Sequence, residues 1–439
     1  MRIEELHLKN FCGFEELTVQ FPESNLAVFI GNNGSGKTTI LKSMVLLLSW
    51  LIARIEREKG LGTSISDLEI LNSASFSEIK IKLKENDELF EWSLAKIAKG
   101  KKIKIESKLT DTFKLSDIYR TQYTENNDSS FPLIIYYPVE RSVLDVPLKI
   151  RTRHSFKQLD GYDNSLSQGV DFRRFFEWFR EREDIENENK SHMLMKAFEL
   201  IDTGEFSERL KEYRNYRESQ INAVRRAVEL FTPSFSNLRI ERNPLRMVIN
   251  KGNNKYLNIL QLSQGEKSLM ALVGDIARRL AMMNPTLKNP LEGTGIVLID
   301  EIELHLHPQW QRSVIPNLQK TFPNIQFIVT THSPQVLSRV HRDDIFILKD
   351  NQLYQPSSNP IGRDSTDILD EIMEVTKRPE EIQKLSDEYF SLINKNQFEE
   401  AQKIREQLLV LVKDKKLDEK DPIFIRADGI LARKQLLKR

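Results

Sequence analysis

Gly31-Asn32-Asn33-Gly34-Ser35-Gly36-Lys37-Thr38, or GNNGSGKT, fits the spacing G-x-x-x-x-G-K-[ST] of a phosphate-binding loop. The five residues before it, Leu26 to Ile30, are continuously apolar, and Ile40 to Arg57 after it carries apolar residues through several turns without glycine or proline. A buried strand, a glycine-rich loop and a helix are therefore expected in succession. Gly31, Gly34 and Gly36 let the backbone wrap closely so that its N–H groups face phosphate oxygens. Lys37 can then reach the β and γ oxygens, and Thr38 can offer a hydroxyl to Mg²⁺. Asn32, Asn33, Gly34, Ser35, Gly36, Lys37, Thr38 and Thr39 are the candidate nucleotide-binding residues, with ATP and Mg²⁺ the expected ligands.

Three further segments extend the site. GIVLIDE, Gly295 to Glu301, ends an apolar strand on two carboxylates. With a phosphate loop upstream, Asp300 is the candidate for the metal shell beside Thr38, and Glu301 for orienting or deprotonating the attacking water. LSQGE, Leu262 to Glu266, opens a helical segment that ends before Pro285. A serine and a glycine at a helix start present a hydroxyl, bare N–H groups and the positive end of the helix dipole, so Ser263, Gln264, Gly265 and Glu266 form a candidate anion receptor. TTHSPQVL, Thr330 to Leu337, follows the apolar run Ile325 to Thr330 and places His332, a candidate hydrogen-bond donor, at a strand end. His305 and His307 of ELHLHP do not read as a metal pair, since no third ligand accompanies them.

At 439 residues the chain exceeds what one hydrophobic core usually serves. Periodicity divides it into residues 1–144 and 233–361 as two parts of one α/β head, 145–232 as a helical insertion, and 362–439 as a charged helical tail. Within the head, Ile3 to Phe11 and Leu17 to Phe21 read as two strands joined at Gly13. Alternating runs at Ile79–Leu83 and Lys101–Ile105 read as antiparallel hairpins of a side sheet, and Phe131–Tyr137 as another strand. Leu238 to Leu260 reads as short strands with a turn at Gly252–Asn254, and the tail has candidate helix starts at Ser365 and Pro379. The expected fold class is thus a P-loop NTPase head, a mixed core sheet with helices and an antiparallel side sheet, carrying a helical insertion and tail.

Lys+Arg 65 against Asp+Glu 64 leaves a formal charge of +1, so any nucleic-acid contact has to be local. The five lysines of Lys96 to Lys104 serve equally as a phosphate contact or as a solvated sheet edge. Arg209, Arg214, Arg217, Arg225 and Arg226 alternate with glutamates and read as a solvated or inter-subunit face. The lone Cys12 excludes an internal disulfide framework, suits a reducing cytosol and reads as a small buried hydrophobe. The most apolar window, Met44 to Ile55, is about a dozen residues against the roughly 20 a membrane span needs. With no signal-peptide layout at the start, a cytoplasmic protein with no membrane contact is expected.

The motifs together resemble the ABC-type ATPases, above all the soluble branch of Rad50, SMC and RecF proteins. That resemblance implies that LSQGE acts as the signature, presenting Ser263 and Gly265 in a head-to-head dimer to the γ-phosphate held by the other subunit. It also implies that His332 is the switch histidine that senses that phosphate, and that ELHLHP is the D-loop, with His307 where aspartate is usual. Two departures stand out. In NFCGF, Asn10 to Phe14, Cys12 replaces an arginine expected at the nucleotide, and the glutamine of the Q-loop is missing, with Asn72 its substitute.

YYPVER (Tyr136–Arg141), DFRRFFEWFRERE (Asp171–Glu183), VLIDEIELHLHPQWQR (Val297–Arg312) and FPNIQFIVTTHSPQVL are similar to the ATPase subunit of Septu-type antiphage defence, PtuA, a family also found in retron systems. This likeness implies a homodimer or higher homo-oligomer holding an HNH-type nuclease partner and, in retron settings, a reverse transcriptase with its nucleic acid. Nucleases of the OLD type share the LHLHP and THSP wording but continue into a Toprim domain. Residues 362–439 are too short and too helical for one, so no nuclease site is expected in this chain. A transport ATPase is disfavoured by the insertion and by His307. The alternative is a DNA-repair ATPase of the Rad50 or RecF type, although the insertion is too short for a long coiled coil and lacks sustained heptads.

Overall fold

The computed structural model describes all residues except 127–128, 141–155, 168, 202–204, 253–254, 372–379, 415–416, 419–420 and 437–439. In chain order, β1 (Arg2–Phe11), β2 (Phe14–Gln20) and β3 (Leu26–Gly31) lead into α1 (Lys37–Glu56), followed by β4 (Phe76–Glu85), β5 (Glu88–Ile97), α2 (Thr110–Glu125) and β6 (Leu133–Tyr137). Three helices come next, α3 (Phe172–Glu199), α4 (Phe206–Asn215) and α5 (Ser219–Phe231), then β7 (Phe235–Arg242), β8 (Leu245–Lys251), β9 (Lys255–Asn258) and α6 (Gln264–Met283). β10 (Gly295–Ile299), α7 (Pro308–Gln311), α8 (Val314–Thr321), β11 (Ile325–Thr330), α9 (Pro334–Leu337), β12 (Ile345–Lys349) and β13 (Gln352–Tyr354) follow.

The core sheet has the order β13-β12-β3-β11-β10-β6, parallel except for the edge strand β13. Its central strands are buried at almost every position, as strands covered on both faces must be, and so they read as continuous apolar runs rather than alternations. Parallel pairing also brings their carboxyl ends level. Ile299 lies opposite Tyr137 on one side and Val329 on the other, and Thr330 lies opposite Phe29, so the segments after β3, β6, β10 and β11 emerge together. Ligands of open α/β sheets bind in that position.

A four-stranded antiparallel sheet, β2-β1-β4-β5, lies beside this core, with Ile79, Ile81 and Leu83 of β4 buried between the part-exposed Lys80, Lys82 and Lys84. A mixed core sheet and an antiparallel side sheet are the two sheets expected from the sequence. The strand expected at Lys101–Ile105 does not form: beyond Ile97 the chain meets β5 again through an isolated bridge at Lys108 and the Ser107 hydroxyl, which accepts from the Ala95 N–H, and Lys99, Lys101, Lys102 and Lys104 stay exposed. Alternating lysines there keep their charges in water. A helix, α2, stands where none was expected, burying Leu115 and Tyr119 on one face. β7-β8-β9 form a third sheet, whose turn residues Asn253 and Asn254 lie outside the described residues.

α1 runs for 20 residues, longer than the dozen apolar positions counted in the sequence, and its mean hydropathy of 1.6 would satisfy a membrane span. It is a core helix, since 61% of that window is buried within the protein. Arg54 is buried near its end, where it donates to the Leu109 carbonyl at 2.9 Å and lies 3.5 Å over the Phe113 ring. In α3, Phe172, Phe175, Phe176, Trp178 and Phe179 are all buried, and Phe175 faces Gly274 of α6. Arg225, expected on a solvated or inter-subunit face, is instead half-enclosed and paired within its own chain with Glu183 at 3.0 Å and Glu186 at 2.5 Å.

The chain divides into two units, Met1–Gly362 and Arg363–Arg439. The second holds α10 (Ser365–Glu371) and then α11 (Glu380–Asn394), α12 (Phe398–Lys413) and α13 (Pro422–Leu436), the last three around a core of Tyr389, Ile393, Leu408, Phe424 and Ala427. The helix start read at Pro379 lies outside the described residues.

Candidate nucleotide site

The loop after β3 takes its shape from glycines that no other residue replaces. Gly36 sits at φ +101, and a Cβ there would meet the Phe14 ring at 2.5 Å; at Gly31, φ +151, it would meet the Leu348 carbonyl oxygen at 2.3 Å. Phe14, next to the β1–β2 turn, thus packs directly under the loop. The Lys37 ammonium donates to the carbonyls of Gly31 at 2.9 Å and Asn32 at 3.0 Å, which folds its side chain over the loop. Burial pushes its pKa below the ordinary lysine value, while Asp300, Glu301 and Glu303 pull the other way. Ser35 Oγ is buried without a hydrogen-bond partner, a donor left for a ligand oxygen.

Across from the loop, Asp300 is 1% exposed and receives two hydroxyl donors, Thr38 at 2.8 Å on Oδ2 and Thr330 at 2.5 Å on Oδ1. Thr38 Oγ1 and an Asp300 oxygen therefore lie side by side, an oxygen pair suited to Mg²⁺. Asn33, Gly34, Gly36, Lys37, Thr38, Thr39, Asp300, Glu301 and His332 line one cavity of about 210 Å³. His332 is half-buried, and desolvation, then the nearby Lys37 charge, depresses its pKa, leaving a neutral imidazole at neutral pH. Glu303, read in the sequence only as part of ELHLHP, clamps this strand end by accepting from Thr331 Oγ1 at 2.7 Å and from the His332 N–H at 2.5 Å.

Ser263, Gln264, Gly265 and Glu266 stand apart from this cavity. Ser263 caps α6, and its N–H and hydroxyl both donate to Glu266 Oε2 at 2.9 Å, a reciprocal capping box. Lys251 meets the other oxygen of Glu266 at 2.5 Å. Desolvation opposes ionisation of Glu266, but Lys251 and the Ser263 donors outweigh it and hold the carboxyl below its ordinary range. Gly265 is pressed against the His305 carbonyl, where a Cβ would sit 2.6 Å from the oxygen. His307 caps α7, accepting from the Gln309 N–H at 3.3 Å.

Two sequence assignments change. Asn72, taken for the Q-loop residue, lies exposed in the turn before β4 and lines neither cavity at Thr38. Instead the segment after β6 reaches the site: a second cavity of about 530 Å³ shares Thr38 and Asp300 with the first and is also lined by Lys42, Tyr136, Pro138, Glu140 and Asp171. The register of β6 against β10 forces this placement, and only the sheet order reveals it. Arg141 of YYPVER lies outside the described residues. Cys12 is part-exposed rather than buried, held at φ 50 in the β1–β2 turn with its N–H on the Glu69 carbonyl at 2.7 Å. Burial, then the Glu69 charge, raises its thiol pKa.

Residues 1–337 match the AAA ATPase domain family. The chain is 36% identical to the Retron Ec83 probable ATPase of Escherichia coli, over 92% of this chain and 82% of that protein. It is 38% identical to the Retron Vc95 probable ATPase of Vibrio cholerae serotype O1 biovar El Tor, over 92% and 86%. Septu protein PtuA of Bacillus thuringiensis is 23% identical over 79% of this chain and 75% of its own length. With its phosphate loop, paired carboxylates and strand-end histidine gathered at the carboxyl ends of the central strands, the chain is an ATPase and belongs to the AAA ATPase domain family, in kinship with the retron ATPases.

Proposed function

We propose that this chain is the ATP-hydrolysing subunit of a bacterial antiphage defence assembly, in which two heads close face to face on ATP and their nucleotide state restrains or releases an HNH-type nuclease partner. The observation that supports the closure is an incomplete site. Lys37, Thr38, Asp300, Glu301 and His332 share one cavity whose lining does not include Ser263 or Gly265, which supports the reading that a second chain supplies them. Lys37, Ser35 and the N–H groups of Asn32 to Gly34 hold the phosphates. Glu301 orients and deprotonates the attacking water, and neutral His332 donates to the γ-phosphate. Thr38 and Asp300 would hold Mg²⁺, which when bound neutralises charge on the phosphate oxygens.

The defence setting is supported by the likeness to retron and Septu proteins. In this reading the protein is cytoplasmic, the inserted helices of 145–232 or the tail of 362–439 dock the nuclease, and a retron reverse transcriptase with its nucleic acid is a further partner. Glu301→Gln is expected to leave ATP bound but nearly unhydrolysed and to favour the closed dimer, while Lys37→Ala loses nucleotide. Phosphate release reads turnover, binding of a fluorescent ATP analogue reads occupancy, and size-exclusion with light scattering, with and without ATP, reads the dimer. Normal turnover by Glu301→Gln, or an ATP-loaded monomer, would refute the reading.

A further inference from the structure

Thr330 ends β11 with its side chain fully buried, and its one hydroxyl serves two groups. Oγ1 donates to Asp300 Oδ1 at 2.5 Å and accepts the Glu301 N–H at 2.8 Å. The Thr330 carbonyl also accepts the Ile302 N–H at 3.0 Å. One residue therefore holds a carboxylate oxygen of Asp300 and both backbone N–H groups that follow it. Glu301 needs such holding, because it stands at φ 47, in the left-handed region that favours glycine, and persists there only if its surroundings over-determine it. A hydroxyl has one proton to give, and giving it to Asp300 leaves its lone pairs to face the Glu301 N–H. Asp300 Oδ2 is left for Thr38. The neighbouring Thr331 does different work, since its hydroxyl goes to Glu303.

We propose that Thr330 is a positioning residue for ATP hydrolysis, one that sets the metal-side carboxylate of Asp300 and the backbone turn aiming Glu301 from a single hydroxyl. This rests on the roles given above to Asp300 and Glu301. Valine keeps the shape and β-branching of threonine in a strand that is otherwise largely apolar here, so Thr330→Val removes the two hydrogen bonds and little else. In the full-length chain, kcat falls about 10- to 100-fold, the range for losing a partner that orients a ligating group. Dissociation of a fluorescent ATP analogue stays near wild type, the melting temperature falls only by the modest amount that losing two buried hydrogen bonds brings, and Thr330→Ser restores kcat to within a few-fold. Thr330→Val at wild-type kcat, or Thr330→Ser as slow as valine, overturns the proposal. Should Thr330→Val fail to fold, Thr330→Cys, a weak donor and acceptor, takes its place with the same two outcomes. Glu301→Gln run alongside separates the failures: if it hydrolyses ATP normally the site reading falls, and if it is inactive while Thr330→Val is active only this proposal falls.

Discussion

Asp275→Asn tests how the head is held together behind the site. Asp275, on α6, is fully buried and accepts from Arg278 Nη2 at 2.7 Å, Arg279 Nε at 2.9 Å and the Tyr137 hydroxyl at 2.9 Å. Arg279 continues to the carbonyls of Gly161 at 2.6 Å and Asp163 at 3.1 Å. Tyr137 ends β6, and its carbonyl accepts the Asp300 N–H at 2.9 Å, so the network ties the LSQGE helix to the strand ends at the site. Desolvation disfavours the Asp275 charge, yet the two guanidinium groups outweigh it and hold the pKa below the ordinary carboxylate range. Asparagine leaves two arginines, 1% and 2% exposed, without a counter-charge, which costs about 3–5 kcal/mol. Tyr137→Phe removes one donor but keeps the ion pairs, and costs about 1.5–3 kcal/mol. The four tryptophans, Trp50, Trp92, Trp178 and Trp310, all lie in Met1–Gly362, so urea unfolding followed by their fluorescence reads that unit. A depressed folded pKa gives stability that is present above the unfolded value and lost as pH falls through the folded one, so the penalty is constant from about pH 6 to 9. A loss under about 1 kcal/mol for Asp275→Asn, or a larger loss for Tyr137→Phe, would refute the network's role.

Lys251→Ala leaves Glu266 ionised against Ser263 alone; since Lys251 is 40% exposed, solvent screening limits the cost to about 1 kcal/mol, and Glu266→Gln in the same background recovers it. A double variant no more stable in urea than Lys251→Ala shows that the pairing is not the cause. His332, whose folded pKa is depressed, contributes stability that is complete above its ordinary value near 6.5 and lost as pH falls toward the folded value. His332→Gln should therefore flatten the decline in melting temperature below pH 6.5, and an unchanged acid slope would assign it to other groups.

What could be read from sequence was local. GNNGSGKT encodes a strand, a turn and a helix within a few residues, because glycine placement and apolar runs act over that range. Ser263 and Glu266, three apart, specify a helix cap, and GIVLIDE places two acids at a strand end. Asp300, Glu301 and His332 thus fell into one cavity with Lys37. The sequence-level misreadings all involve surroundings. The lysines after β5 alternate like a strand but find no partner, Asn72 lies in a turn away from the site, and Arg225 turns inward onto Glu183 and Glu186. The spacing of GNNGSGKT by itself thus marked the chain as a nucleotide binder and nominated the residues proposed to contact phosphate. Only the tertiary structure decided that Thr330 bonds Asp300 and the Glu301 N–H, that Glu303 bonds Thr331 and the His332 N–H, and that the segment after β6 lines the far side. Those contacts join residues 28 to 30 positions apart or more through the register of parallel strands, and register follows from how the buried faces pack rather than from any local spacing.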